Sequence, residues 1–275
     1  MDWKSFFNEN NRIIHSSKDI NSKIEEFIQN GASVNDKDKN HATPLHLASK
    51  CGYFEVIKIL IRKEADVNAI NHCGRTPLFF VFQENTRLLW PHLLEIETRI
   101  ASFLIKKGAK VDIKDFSNIT PLHLATKYGN LESVKILVEN GADINFTSNF
   151  RERPIHLACE KGYLEILNIF ISKGVDINVL DFFSRNCLHI VVQRNDLQMA
   201  KVLLDNYIDV NLLDRDGRTP MDLACLNKKD EMIKLFKKNA RYMLDKKSKS
   251  LDSKDSSNEN PITLSQRVKN LLNIQ

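Results

Sequence analysis

One tetrapeptide recurs along the chain at nearly fixed intervals, and that recurrence constrains the fold more than any local pattern. Thr43-Pro44-Leu45-His46 returns as Thr76-Pro77-Leu78-Phe79, Thr120-Pro121-Leu122-His123, Arg153-Pro154-Ile155-His156, Asn186-Cys187-Leu188-His189 and Thr219-Pro220-Met221-Asp222, at steps of 33, 44, 33, 33 and 33 residues. A second marker, Gly31, Glu64, Gly108, Gly141, Gly174, Tyr207 and Ala240, keeps the same steps and begins one interval earlier. The chain therefore reads as seven units, the third lengthened by 11 residues. A period of this size belongs to stacks of one supersecondary unit, in which each unit buries its apolar face only against its neighbours.

Local chemistry agrees with the period. Thr-Pro opens a helix, because the hydroxyl caps free N–H groups and proline at the first helical position gives up an N–H that had no partner. Leu131, Val134, Leu137 and Val138 follow at helical spacing. All nine glycines and five of the seven prolines fall in register, at helix ends, between helices or at a finger turn.

Residues 118–150, NITPLHLATKYGNLESVKILVENGADINFTSNF, carry this pattern most fully and resemble the ankyrin repeat, as does the chain over about residues 10–240. The resemblance implies an all-α solenoid of about seven repeats, each a β-hairpin or turn followed by two antiparallel helices. Phe79 and Asp222 at the histidine position, Asn186-Cys187 for Thr-Pro, and Tyr207 and Ala240 at the glycine position depart from the family pattern. The expected organisation is a degenerate N-terminal capping repeat over 1–35, six repeats over 36–245 with an insertion near 84–95, a flexible basic and polar linker over 246–260, and a short C-terminal helix over 261–275. In that last segment Leu264, Val268, Leu271 and Leu272 share one helical face.

Several functions are excluded by pattern. No stretch has the eighteen or so apolar residues of a membrane span, and the N-terminus lacks the basic and apolar regions of an export signal. Cys51, Cys73, Cys159, Cys187 and Cys225 are odd in number and form no C-x-x-C pair, which fits reduced thiols inside a cell. Catalytic and nucleotide-binding signatures are missing, so no catalytic residue, cofactor, metal or small-molecule substrate is expected. His46, His123, His156 and His189 recur with the repeat, but helices packed about 8–10 Å apart cannot bring successive imidazoles onto one ion with bonds of about 2 Å. The resemblance assigns them a bracing role in the hairpin.

What remains is surface. The resemblance places partners on the concave face, made by the fingertips and first helices. Three successive tips carry Phe116, Phe150 and Phe182 with Phe183. Exposed rings in a row are a protein-binding hot spot or, alternatively, packing between fingers. Lys127, Tyr128, Lys161 and Arg194 adjoin them on the first helices, and Arg185 and Arg218 beside the tips. Such a surface suits a protein partner with carboxylates around apolar anchors, though solvated cations also serve solubility alone. The insertion, with Leu88, Leu89, Trp90, Leu93 and Leu94, either folds back on its own helices or meets a partner. Residues 228–275 hold 12 Lys and Arg against 6 Asp and Glu. Lys246-Lys247-Ser248-Lys249 could serve nuclear import or touch anionic surfaces. Nucleic-acid binding by the repeats lacks a motif. The resemblance further makes Asn35, Asn68, Asn145, Asn178 and Asn211 acceptor positions for asparaginyl hydroxylases, or simply turn stabilisers. The expectation is thus a monomeric adaptor or scaffold, cytoplasmic or nuclear, with a stoichiometric inhibitor or a secreted pathogen or host-directed effector as the alternative.

Overall fold

The computed structural model describes residues 2–9, 17–82 and 93–251. Among these the backbone forms helices and no strand: α1 (Trp3–Glu9), α2 (Ser17–Gln29), α3 (Pro44–Cys51), α4 (Phe54–Arg62), α5 (Pro77–Val81), α6 (Leu93–Lys106), α7 (Pro121–Lys127), α8 (Leu131–Glu139), α9 (Pro154–Lys161), α10 (Leu164–Ser172), α11 (Cys187–Arg194), α12 (Leu197–Asp205), α13 (Pro220–Leu226) and α14 (Asp230–Leu251). The chain divides into two compact units, Met1–Asn149 and Phe150–Gln275. In the first, α3, α5 and α7 pack in succession, with α4, α6 and α8 behind them; in the second, α11 lies between α9 and α13, with α10, α12 and α14 behind.

The tetrapeptide acts as the sequence demands. Thr43 sits in extended conformation at the N-cap of α3 with Pro44 in the first turn, Thr120 and Thr219 do the same for α7 and α13, and Asn186 caps α11 in the same conformation with Cys187 in place of proline. Leu45, Leu78, Leu122, Ile155, Leu188 and Met221, two residues on, are all buried, as are Leu60, Leu137, Phe170 and Leu203 on the second helices. Fully burying such a side chain contributes about 1.5–3 kcal/mol, so neighbour contact within each unit outweighs the weak propensity of helices only five to nine residues long.

The hairpin of each repeat is realised as a turn. Adjacent tips share a backbone bond, such as Phe116 N–H to the Cys73 carbonyl at 3.0 Å and Arg215 N–H to the Phe183 carbonyl at 2.9 Å, which is too little for a strand ladder. At the glycine marker, Glu64 (φ 65°) and Tyr207 (φ 61°) adopt the left-handed conformation without being glycine. Ala240 lies buried inside α14, which continues to Leu251. Of the linker expected over 246–260, residues 246–251 continue α14, where neither glycine nor proline interrupts the chain. Residues 93–95 of the expected insertion belong to α6, whereas 84–92, including Trp90, and 252–275 lie outside the described residues.

The N-terminal segment has a core that its polar residues hid. Trp3, Phe6 and Phe7 of α1 are buried, with Trp3 and Phe6 against Phe27 at 4.9 and 4.7 Å between centroids and Phe7 against Tyr53 at 6.0 Å. The Trp3 indole N–H donates to the Ser33 carbonyl at 2.8 Å, tying α1 to the first finger.

Candidate protein-interaction site

Most fingers are shaped by one acceptor that recurs with the repeat. Oδ1 of Asp38 accepts the Asn40 and Ala42 N–H groups, and Oδ1 of Asn71, Asp115, Asp181 and Asp214 accepts the corresponding pairs two and four residues on, all at 2.8–2.9 Å. This bonding turns the chain and presents the two tip residues outward. Sequence reasoning missed this series. Its signal lay in the same steps of 33 and 44, which Ser148 breaks between Asp115 and Asp181.

The tip phenylalanines are exposed: Phe116 by 73%, Phe150 by 66%, Phe183 by 51% and Phe182 by 48%. Phe116 belongs to the first unit, as do Lys127 and Tyr128; the other named surface residues belong to the second. Phe116 rests on Gly74 of the preceding finger, where a Cβ would come within 3.0 Å of its ring. Phe182 and Phe183 meet edge to face at 5.5 Å, and the Arg215 guanidinium lies 4.6 and 5.8 Å from their centroids, donating to the Phe182 carbonyl at 3.2 Å. The rings thus pack within the second unit and still keep about half their surface in solvent.

Charge there is balanced rather than basic. Arg185 grips Asp181 with Nη2 at 2.7 Å and Nε at 2.9 Å, and its Nη1 donates to Gln193 at 2.8 Å. Arg218 pairs with Asp214 at 3.1 Å and with Asp216. Burial pushes the Asp214 carboxyl up, but the Arg218 backbone N–H and guanidinium outweigh it and hold it below the usual carboxylate range. Arg215, missed by sequence reasoning, is a finger arginine of this unit with no ion pair among the described residues. Phe183, Gln193, Arg215 and Arg218 line a shallow cleft beside these rings. Away from it, Lys161 pairs with Glu160 at 2.9 Å, Arg194 donates to the Glu160 carbonyl at 2.8 Å while lying over Gly162, and Lys127 stands 5.6 Å from the Tyr128 ring.

The asparagine series connects fingers. Oδ1 of Asn35, Asn68 and Asn178 accepts the N–H of Asp66, Lys110 and Asp209 at 2.8–2.9 Å, and Asp112 does the same for Asp143 at 3.0 Å. Asn211 turns toward Asp209 on its own finger, and the exposed Asn145 donates its backbone N–H to Asp143 Oδ1.

The histidines work as neutral braces. Nδ1 of His46, His156 and His189 accepts the N–H of Thr43, Arg153 and Asn186 at 3.0–3.3 Å; Nε2 faces the carbonyls of Arg75, Val179 and Arg218 at 2.9–3.0 Å. This pairing fixes the Nε2–H tautomer of His46 and His156; at His189, Nδ1 also faces the Asn186 amide oxygen at 2.7 Å. Burial lowers the His46 pKa to about 4 and moves His156 and His189 the same way. Among the described residues no three His, Cys, Asp or Glu side chains converge as metal ligands, and no helix is long and apolar enough to cross a membrane.

Comparison with known proteins supplies the class. A family model described as ankyrin repeats (3 copies) matches residues 92–148 and 155–250, and one described as ankyrin repeats (many copies) matches 28–78. The chain belongs to the ankyrin-repeat family, whose members are protein-interaction modules. Its relatives include an ankyrin repeat protein of fowlpox virus (28% identical over 142 residues), a transient receptor potential cation channel subfamily A member 1 homolog of Caenorhabditis elegans (26% over 138) and the NF-kappa-B inhibitor zeta of Bos taurus (30% over 136). These alignments cover 40%, 44% and 41% of this chain but only 18%, 11% and 19% of the relatives. Viral protein, channel and inhibitor share the repeat.

Proposed function

We propose that the protein is a non-enzymatic binding module whose second unit holds a protein partner at the fingertips. The observation that carries this reading is the exposed ring cluster of Phe182 and Phe183 beneath Arg215. Two rigid aromatic groups supply apolar anchorage at little entropic cost, and the guanidinium over them offers N–H groups to a carboxylate. Phe150 extends the apolar contact on the adjacent finger. Because Arg185 and Arg218 already face Asp181, Asp214 and Asp216, the partner is recognised by its apolar anchors, with one acidic contact at Arg215, rather than by a broad negative surface.

Likeness to an NF-kappa-B inhibitor supports the form of this reading in which binding masks the partner's surface, as opposed to scaffolding. Affinity purification followed by mass spectrometry, with the unmodified chain and the Phe182→Ala/Phe183→Ala variant side by side, tests the site. The variant should lose the specific partner, with binding weakened by about tenfold or more, since truncating a hot-spot aromatic costs about 2 kcal/mol. Lys161→Ala should leave affinity within about twofold. Unchanged capture by the phenylalanine variant would place the binding surface elsewhere.

A further inference from the structure

A second feature lies on the first unit, on the outward side of α4 and α6, away from any fingertip. Phe54 of α4 and Phe103 of α6 meet edge to face, 5.4 Å between centroids and 77° between planes, and both are half-buried. Four cations surround or follow them. Arg99 lays its guanidinium 4.1 Å from the Phe54 centroid, Lys58 stands 5.4 Å from the same ring, and Lys107 stands 5.8 Å from the Phe103 ring. Lys106 is exposed beside Lys107.

Most of the cations on this face lack an ion pair. Lys58 is neutralised by Glu55 at 2.6 Å. Arg99, Lys106 and Lys107 have no ion pair among the described residues. The exposed Glu95 is one helical turn before Arg99 on α6, in position for an ordinary ion pair, yet the guanidinium is on the ring instead. The other acid of that stretch, Glu97, is buried and accepts from the Asn130 amide at 3.0 Å. A helix C-terminus accounts for Lys106, since cations there complement the dipole. It does not account for Arg99 in mid-helix. A guanidinium held over an aromatic ring without an ion pair leaves its N–H groups available to a carboxylate.

We propose that the outward face of α4 and α6, centred on Phe54, Phe103, Arg99 and Lys107, is a second docking surface, whose occupant is an acidic segment of a partner protein. Charge complementarity selects that occupant: the unpaired Arg99, Lys106 and Lys107 adjoin a half-buried apolar pair, and among the described residues the surface has no exposed ring on which a base could stack. This inference does not rest on the fingertip reading, since the two surfaces share no residue.

The test uses the full chain and a fluorescein-labelled decaglutamate peptide, followed by fluorescence anisotropy at about 50 mM salt, where exposed charges are only partly screened. Arg99→Gln/Lys107→Gln should weaken binding by about fivefold or more, while Lys237→Gln/Lys238→Gln on α14, which removes the same charge, should change it by less than about twofold. Phe54→Leu keeps every charge but removes the platform under Arg99; it should weaken binding by about two- to threefold with the far-ultraviolet circular dichroism spectrum unchanged. Equal losses in the two double variants would overturn the proposal, because the peptide would then be reporting net charge alone. Tighter binding to a duplex DNA or to phosphatidylserine vesicles than to the peptide, abolished by Arg99→Gln/Lys107→Gln, would overturn the partner class.

Discussion

The helix starts at Thr76 and Asn186 both break the repeated tetrapeptide, one by losing its histidine and the other by losing its Thr-Pro. At Asn186 the bonding survives. The amide oxygen accepts the His189 backbone N–H at 3.2 Å, the amide nitrogen donates to the Asp209 carbonyl at 2.9 Å, and His189 still reaches Arg218 in the next finger. At Thr76 the proline and the extended cap remain, but Phe79 replaces the imidazole. The Thr76 hydroxyl is then buried with no hydrogen-bond partner among the described residues, and α5 is five residues long against eight for α11. The Thr position can be filled by another side chain with an acceptor; the histidine cannot be replaced by an apolar ring without loss, because it alone bonds both its own cap and the neighbouring finger.

Acid gives the largest test of that contrast. The unfolded chain takes up protons at the ordinary histidine pKa of 6.5, whereas folded His46 resists them down to about 4 and His156 and His189 are lowered in the same direction. The neutral braces therefore contribute fully above pH 6.5, and stability should fall as pH drops from 6.5 toward 4, by about 3 kcal/mol for His46 alone. Urea unfolding between pH 7.5 and 4 checks this; a flat profile would mean that the rings are not held neutral. Next in size, His189→Phe makes the second unit's joint resemble that of α5 and should cost about 2–3 kcal/mol, from two lost bonds and the polar groups they leave behind. The same variant should lose part of the acid sensitivity.

Smaller effects sharpen the comparison at the caps. Thr43→Val removes an oxygen that faces His46 Nδ1 at 2.9 Å and should destabilise by about 1–2 kcal/mol. Thr76→Val removes an unpartnered one and should be neutral or stabilising by up to about 1 kcal/mol in thermal unfolding. Equal costs at the two sites would show that Thr76 has a partner in solution. Smallest of all, Glu64→Gly and Tyr207→Gly relieve left-handed backbone and should each stabilise by about 0.5 kcal/mol, the relief being partly offset by the freer unfolded chain.

Much of the molecule was legible because the repeat writes local chemistry in place. Thr-Pro and Pro at the first helical turn marked α3, α5, α7 and α13, and Phe116, Phe150, Phe182 and Phe183 could be assigned to tips by counting alone. The arginines were not legible in the same way. Arg185 and Arg218 read as free cations, but Asp181 and Asp214, four residues earlier, are turned back onto them by the finger's own bonding. Arg215, one residue into its tip, gained its role from rings 32 and 33 positions away.

The sequence by itself determined the period, the helix starts and the family, since each depends on a residue's effect on its own backbone or that of its immediate neighbours. Tertiary structure decided where helices stop and which charges remain available. Glu64 and Tyr207 have no preference for a left-handed turn, yet they adopt one because Ala65 and Ile208, buried in the following finger, pull the chain away from the helix. Ala240 occupies the same register with no such docking of Arg241 or Tyr242, both exposed, and the helix runs on to Leu251. The physical reason is one of range: backbone preference acts within a few residues, whereas burial and ion pairing are set by groups a whole repeat away.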